Sequence, residues 1–167
     1  MSQMLDYDLH CHSNVSDGVL SPADVVARAA DRGVKYLALT DHDSTNGLGE
    51  AEQAAAAHGL QLIAGVEISV TWQGHTLHVV GLHIDPLYQP LAQGLRAIRS
   101  GRGARAQLMA KSLAGCGTAG ALEGAARYAT QPELIGRTHF ARFLVEAGHA
   151  KDVRSVLIPF NLGRAVR

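Results

Sequence analysis

The stretch Asp8-Leu9-His10-Cys11-His12 decides the fold of this chain, because it ends the first predicted strand on two histidines. In an extended strand, side chains two residues apart point to the same face, so His10 and His12 lie side by side. Imidazole is a common ligand of Zn, Fe and Mn ions, and the pair is therefore half of a metal site. The plain alternative is a pair of polar residues at a strand end. Cys11 faces the other way and is predicted to be a small buried hydrophobic residue.

Further acidic and histidine-bearing runs follow where other predicted strands end or turn. Alone, each has a simple explanation: Asp17 suits a turn, His42 could cap a helix, and His78 could be a core histidine. Glu67 is harder to explain, because a carboxylate directly after a buried strand needs a partner or a cation. Four imidazoles and two carboxylates are more ligands than one tetrahedral ion can take, so they indicate a cluster of several ions. Such a cluster is suited to catalysis in which the ions bind a phosphoryl oxygen. The runs are Ser16-Asp17-Gly18, Thr40-Asp41-His42-Asp43, Gly65-Val66-Glu67 and His75-Thr76-Leu77-His78.

The first 85 residues alternate between predicted strands and helices. Ser21 followed by Pro22 is typical of a helix start, and Gly33 and Gly59 end the two helices. A β-α-β-α-β order predicts parallel strands with right-handed crossovers, and in such sheets ligands gather at the carboxyl ends of the strands. The last two strands form an antiparallel pair around Gln73-Gly74. The predicted strands are Leu5–His10, Lys35–Thr40, Gln61–Ala64, Glu67–Trp72 and Thr76–His83, and the helices are 21–33 and 48–58.

Beyond Asp85-Pro86 the sequence predicts helices only, with glycines at their joints. Gly101 and Gly103 separate the first two helices and place Arg102 near a helix start, where backbone N–H groups favour an anion. We divide the chain into an α/β part (1–88), a helical subdomain (89–150) and a tail (151–167). The predicted helices are 90–100, 102–114, 119–129 and 137–147.

Charge is distributed unevenly along a chain whose net charge is zero. Residues 1–85 hold 11 acidic and 3 basic residues, whereas residues 86–167 hold 4 acidic and 12 basic residues. Either the acidic part holds cations and the basic part meets an anionic ligand, or the two halves attract each other in the fold. Two cysteines give no disulfide framework. No apolar run is long enough for a membrane span, and no leader is recognisable, so we expect a cytoplasmic protein.

Several of these runs, together with residues 72–85 and 137–145, resemble the PHP (polymerase and histidinol phosphatase) superfamily. The match is closest to its bacterial nucleoside 3′,5′-bisphosphate phosphatases and exoribonucleases, and it extends from about Tyr7 to about Val156. The resemblance implies an α/β fold, here a partial distorted (β/α) barrel with a helical insertion. It also implies up to three Mn²⁺, Fe²⁺ or Zn²⁺ ions and the hydrolysis of phosphoric esters.

The resemblance further assigns roles to residues by position. His10, His12 and Glu67 would hold a first ion. Glu67 would bridge to a second ion with His78, and Asp17 and His42 would hold a third. Guanidinium suits bidentate phosphate contact, although a solvated helix face is the ordinary reading of such arginines. The candidate substrate-binding residues are Arg102, Arg105, Arg137, Thr138 and His139, with His139 either a phosphate contact or a general acid.

The chain departs from the family pattern after Val156. In the family, a His-Pro-Gly segment and a Gly-Ser-Asp-x-His segment supply one further ligand to each ion, and this sequence has neither. A frameshift, a premature stop or a fragment would produce this, with an open sheet edge that a second copy could pair. The expected substrate is a phosphorylated small molecule, such as a nucleoside 3′,5′-bisphosphate, or an RNA 5′ end. The alternative is an impaired PHP module that binds metal or nucleotide or acts through a protein partner, without a membrane.

Overall fold

The computed structural model describes residues 6–161, with side chains through residue 157. The chain divides into two compact units, residues 1–98 and residues 99–167. None of the described helices combines the length and hydropathy that crossing a bilayer requires. The elements are β1 Tyr7–Cys11, α1 Pro22–Asp31, β2 Tyr36–Leu39, α2 Leu48–His58, β3 Gln61–Trp72, β4 His75–Leu82, α3 Gln89–Gly115, α4 Ala121–Ala126, a 3₁₀ turn Pro132–Leu134, α5 Arg137–Glu146 and α6 Val153–Asn161.

The first unit is built on a curled four-stranded sheet with the order β1-β2-β3-β4. β1, β2 and the start of β3 run parallel, and β4 pairs antiparallel with the rest of β3. The tight turn at Gln73 and Gly74, both with positive φ, produces the predicted hairpin. The predicted α/β class, with a partial barrel sheet and following helices, is confirmed.

Helices α1 and α2 pack together beside the parallel strands. Ser21 caps α1 as predicted, because its hydroxyl accepts a hydrogen bond from the Asp24 N–H at 3.1 Å. Gly59 ends α2 in the left-handed conformation, with φ 66°. The two helices and the strands bury a common apolar core made of Val26, Ala29, Leu37, Leu39, Leu48, Ala51, Ala55 and Leu60.

Two boundaries differ from the sequence prediction in the sheet. The strands predicted as 61–64 and 67–72 are one strand, β3, of 12 residues. Gly65 does not interrupt β3, because the backbone stays extended there and pairs with neighbouring strands on both sides of it. A Cβ on Gly65 would lie 3.0 Å from the Leu39 carbonyl and 3.2 Å from the Gly81 carbonyl. The first prediction began at Leu5, which lies outside the described residues, and the observed β1 begins at Tyr7.

The helices predicted at 90–100 and 102–114 are also one continuous helix, α3, of 27 residues. Gly101 and Gly103 are tolerated because each glycine costs a helix only about 1 kcal/mol relative to alanine. In the second unit, α4 and α5 pack closely, with a shared core of Ala106, Ala121, Ala125, Ile135 and Phe140. Helix α6 lies in the segment 151–167, for which the sequence predicted no element.

Candidate metal centre

The six candidate ligands lie at neighbouring strand ends and on the hairpin. His10 lies near the end of β1, His12 directly follows the strand, and Asp17 lies in the loop that follows. His42 comes three residues after β2 and forms an isolated bridge with Glu67 of β3. His78 lies on β4, where it pairs with Ser69 of β3. The structure therefore brings together residues that are up to 68 positions apart in the sequence.

Glu67 is the hub of this cluster. Its Oε2 atom lies 2.7 Å from His10 Nε2, 3.0 Å from His12 Nε2 and 3.8 Å from His42 Nδ1. Its Oε1 atom lies 3.1 Å from His78 Nδ1. Only 7% of the Glu67 side chain is exposed, whereas the imidazoles around it reach solvent to different degrees. One buried carboxylate thus presents its two oxygens to two sets of imidazoles.

Asp17 forms the second part of the cluster with two of these histidines. Its carboxylate oxygens lie 3.9 Å from His12 Nδ1 and 4.0 Å from His42 Nε2. The His12 and His42 rings stack with centroids 4.7 Å apart. His12 Nδ1 is buried and makes no hydrogen bond within the part of the chain that the structure describes. A buried nitrogen spaced this far from a carboxylate leaves room for a cation between them.

The donor atoms form three overlapping groups, each with its ligand atoms within 4.8 Å of one another. Histidine nitrogens and carboxylate oxygens suit Mn, Fe and Zn better than Ca or Mg. The His10 and His12 Nε2 atoms lie only 3.2 Å apart while both face the same Glu67 oxygen. The residues therefore fit metal ions, and Glu67 belongs to two of the groups. The groups are His10–His12–Glu67, His12–Asp17–His42 and His42–Glu67–His78.

Electrostatics keep the Glu67 side chain ionised. Burial alone would raise the pKa of Glu67, but the hydrogen bond with His10 and the nearby His42, His12 and His10 rings outweigh it and lower that pKa. Cys11 behaves in the opposite way: burial, with the charges of Asp8 and Asp41, raises the pKa of its thiol to about 12. Its Sγ donates to the Ala38 carbonyl at 3.2 Å. Cys11 is therefore a protonated, half-buried thiol, in line with the sequence prediction.

Beneath the candidate ligands lies a layer of buried polar residues that the sequence analysis did not assign. Asp41 and Asp43, which flank His42, are 2% and 0% exposed. Asp43 accepts a hydrogen bond from the Ser69 N–H at 2.7 Å, and Asp41 accepts from Ser13 and Ser16. Two carboxylates directly after the buried strand β2 were the signal that could have identified them.

The candidate substrate-binding residues belong to the second unit. Arg102 lies inside α3 and not at a helix start, so the expected helix-terminus anion site at Arg102 is wrong. A guanidinium nitrogen of Arg102 instead comes within 3.6 Å of the position a Cβ would take at Gly136, just before α5. α5 opens with Arg137, which is exposed, and Thr138, which is half-buried.

His139 and Arg105 occupy different environments in that unit. His139 is fully buried, and its Nδ1 accepts a hydrogen bond from the Gly136 N–H at 3.0 Å, which caps α5. Nδ1 is therefore the acceptor nitrogen of this ring. Arg105 lies on the exposed side of α3. A role of these residues toward a substrate stays a prediction.

Comparisons with a family profile and with known proteins point to the same family. The PHP domain profile matches residues 8–147. The chain is 54% identical over 153 residues to a 3′,5′-nucleoside bisphosphate phosphatase of Chromobacterium violaceum, covering 92% of this chain and 54% of that protein. It is 45% identical over 152 residues to a 5′-3′ exoribonuclease of Escherichia coli, covering 90% of this chain and 52% of that protein.

Solved structures agree with the fold. A sulfate-bound amidohydrolase from Chromobacterium violaceum superposes with a TM-score of 0.88 at 53% identity, covering 91% of this chain and 54% of that one. A metal-dependent phosphoesterase candidate from Bifidobacterium adolescentis superposes with a TM-score of 0.86 at 26% identity, covering 97% and 57%. The chain spans about half the length of the curated relatives it matches.

Proposed function

This chain belongs to the PHP domain family, and we propose that it functions in the metal-dependent hydrolysis of phosphoric esters. The observation that carries the proposal is the Glu67 hub, in which one buried carboxylate meets four imidazoles. The similar proteins are named for a nucleoside bisphosphate phosphatase and a 5′-3′ exoribonuclease. We therefore propose a nucleoside 3′,5′-bisphosphate or an RNA 5′ end as the substrate.

The metal ligands we propose are the six residues of the cluster. His10, His12 and Glu67 would hold one divalent ion, Glu67 and His78 a second, and Asp17 with His42 a third. Mn²⁺ is our first choice, with Fe²⁺ or Zn²⁺ as alternatives, because the donor set mixes nitrogen with carboxylate oxygen. Bound divalent ions at such a site polarise a phosphoryl oxygen and lower the pKa of water.

The protein side chains contribute charge and orientation to this chemistry. Glu67 is buried and its pKa is lowered, so its carboxylate would offset the positive charge of ions held by the two groups to which it belongs. An imidazole that binds a metal ion does so through a ring-nitrogen lone pair and adds no charge, and the packing of the His12 ring on the His42 ring fixes both ring planes. This order before substrate arrives lowers the cost of reorganisation during reaction.

We propose that the polar residues at the start of α5 and on α3 bind phosphate. Arg137 and Thr138 open α5, where backbone N–H groups and the helix dipole favour an anion, and the Arg102 guanidinium reaches the same helix start. Arg105 would add a further cation on α3. His139 stays a candidate phosphate contact or general acid; because it is fully buried and its Nδ1 accepts from Gly136, either role would need its Nε2 atom to become exposed.

The test measures three quantities on the purified chain: the bound metal, phosphate release from the bisphosphate, and nucleotide release from the RNA. The metal content of Mn²⁺-loaded protein is measured by inductively coupled plasma mass spectrometry. The same protein is assayed with adenosine 3′,5′-bisphosphate and with a 5′-phosphorylated RNA oligonucleotide. His12→Ala removes a ligand shared by two groups, and His58→Ala removes an exposed histidine at the end of α2. We expect His12→Ala to lose at least one Mn²⁺ equivalent and turnover, and His58→Ala to retain both.

The outcomes separate the competing functions. Turnover that depends on His12 supports the hydrolase. Stable Mn²⁺ binding without turnover on either substrate would contradict it and favour the alternative, a PHP module that binds metal or nucleotide or works through a protein partner. If the folded wild-type chain binds none of Mn²⁺, Fe²⁺ and Zn²⁺, the metal-dependent hydrolase is refuted, and only a module that binds nucleotide or a protein partner without metal is left. A cytoplasmic location stays a prediction from the sequence.

The free edge of β4 supports a further proposal about partners. No described strand pairs with its outer edge, and four of its apolar side chains are at least 38% exposed. We propose that a second copy of the chain pairs there, because unpaired apolar edges favour association. Val79→Lys should then convert a dimer into a monomer in light-scattering measurements, and a monomeric wild type would refute the pairing. The four residues are Leu77, Val79, Val80 and Leu82.

A further inference from the structure

Asp41 is a buried carboxylate whose described partners all lie in one loop. Its Oδ1 atom accepts hydrogen bonds from the Ser13 N–H at 2.7 Å and from the Ser16 hydroxyl at 2.6 Å. Its Oδ2 atom accepts from the Ser13 hydroxyl at 2.6 Å. All three residues are at most 2% exposed. Because these bonds are short, buried and charge-assisted, they hold the loop firmly.

The loop that Asp41 holds carries Asp17 between two fixed points. Ser16, on one side, is bound to Asp41, and Gly18, on the other side, donates its N–H to the Ser13 carbonyl at 2.8 Å. A Cβ on Gly18 would lie 2.5 Å from the His12 carbonyl oxygen, so the turn closes tightly against the strand end. The position of the Asp17 carboxylate therefore follows from the attachment of the loop to Asp41.

The backbone of Asp41 connects the same residue to the hub. Its carbonyl accepts a hydrogen bond from the Glu67 N–H at 3.2 Å, and His42 is the next residue along the chain. Asp41 thus joins the Asp17 loop, His42 and Glu67 through one residue. Asparagine has the same shape but only one acceptor oxygen, so it would turn its NH₂ group toward one of the three donors.

We propose that Asp41 is a positioning residue: it sets the distances between Asp17, His12 and His42, and so it sets the affinity for the metal ion that these three residues would hold. The inference rests on the proposed function, since it requires an ion at the His12–Asp17–His42 group. It goes beyond that proposal because Asp41 is not one of the six proposed ligands: its carboxylate accepts three hydrogen bonds from Ser13 and Ser16. Partners behind the ligands of a metal site commonly change metal affinity 10- to 100-fold.

The test compares Mn²⁺ stoichiometry and affinity, by equilibrium dialysis, among five proteins. These are the wild type and the variants Asp17→Asn, Asp41→Asn, the double variant of both, and Ser16→Ala. Asp17→Asn identifies the ion that depends on Asp17. We expect Asp41→Asn to weaken that same ion about 10- to 100-fold and leave the others unchanged. Ser16→Ala, which removes one of the three bonds, should weaken it about 10-fold and keeps the question testable if Asp41→Asn does not fold.

A matched control separates positioning from general destabilisation. Thr40→Val removes a buried hydrogen bond, from the Thr40 hydroxyl to the Cys11 carbonyl at 3.0 Å, without touching the loop. It should lower the thermal midpoint while retaining every Mn²⁺ ion. The double variant should bind no more weakly than Asp17→Asn alone, because both changes act on one ion.

Two kinds of result would overturn the inference, and they differ in meaning. If the wild type binds Mn²⁺ and Asp41→Asn binds it with the same stoichiometry and affinity, Asp41 has no positioning role although the proposed function stands. Asp41 equally has no positioning role if Asp41→Asn loses all ions in parallel and Thr40→Val does likewise. If the folded wild type binds none of Mn²⁺, Fe²⁺ and Zn²⁺, the proposed function fails and the inference fails with it.

Discussion

Replacement of Glu67 by glutamine is the sharpest single test of the metal centre. The change keeps the size and planarity of the side chain but removes its charge and one of its acceptor oxygens. In the wild type, those oxygens contact His10 at 2.7 Å and His78 at 3.1 Å, and they belong to two of the three ligand groups. Glu67→Gln should therefore weaken two ion sites and leave only the one formed with Asp17 intact.

The expected shift of the thermal midpoint follows from the free energy with which a bound ligand stabilises the native state. A ligand present at 100 times its Kd stabilises the native state by about 2.7 kcal/mol per site. For a chain of this length, that free energy raises the thermal midpoint by about 5–10 °C for each occupied site. Wild-type protein with Mn²⁺ at this excess should show one such increment for each of the three proposed ions, relative to protein in chelator. Glu67→Gln should lose the increments of the two groups it shares and keep no more than one.

The assay is a thermal melt followed by circular dichroism, with chelator and with a Mn²⁺ series. His58→Ala serves as the control, since its imidazole lies at the exposed end of α2, outside the cluster. The control should show the full wild-type shift. If Glu67→Gln also shows the full shift at every Mn²⁺ concentration, Glu67 does not share ions between two groups and the reasoning is refuted.

Three further outcomes follow from pKa values and packing. Because the pKa of Glu67 lies below its usual 4.5, its contribution is complete above pH 4.5 and is lost as pH falls through the native pKa. The difference in unfolding free energy between metal-free wild type and Glu67→Gln should therefore narrow below pH 4.5. With its pKa raised to about 12, Cys11 should react with iodoacetamide at pH 8 about 1000-fold more slowly than exposed Cys116, as peptide mapping would show. A Cβ on Gly124 would overlap the Phe143 ring, so Gly124→Ala should lower the free energy of unfolding in urea by about 1–3 kcal/mol. Gly101→Ala, with open space around it, should stabilise the protein in the same assay.

The places of the candidate ligands could be predicted because they depend on local rules. Alternation along β1 puts His10 and His12 on one face, and parallel strands bring their carboxyl ends to one edge. His42 and Glu67 follow from that rule, and the bridge between them bears it out. His78 needed the hairpin at Gln73-Gly74, whose residues are typical of a tight turn.

The continuity of β3 and α3 could not be read from the sequence. In each case a glycine that suggested a boundary lies inside an element. The strand continues through Gly65 because the backbone pairs with β2 up to Ala64 and with β4 from Gly65 onward. Two neighbouring carbonyls leave no room for a side chain at Gly65, and that contact exists only in the folded sheet. Gly101 stays in α3 because flanking residues with good helix propensity offset its cost. The sequence pattern therefore predicted which elements form, but the glycines gave wrong boundaries between them.

Glu67 becomes a hub because of the strand on which it lies. The first residues of β3, through Ala64, pair parallel with β2, and the residues from Gly65 onward pair antiparallel with β4. Glu67 lies just past this change of partner. On one side it meets His42 from the end of β2, and on the other His78 from β4. A strand with only parallel neighbours would present such a carboxylate to strand ends alone. The change from parallel to antiparallel pairing at Gly65 therefore explains how a single carboxylate can serve two ligand groups.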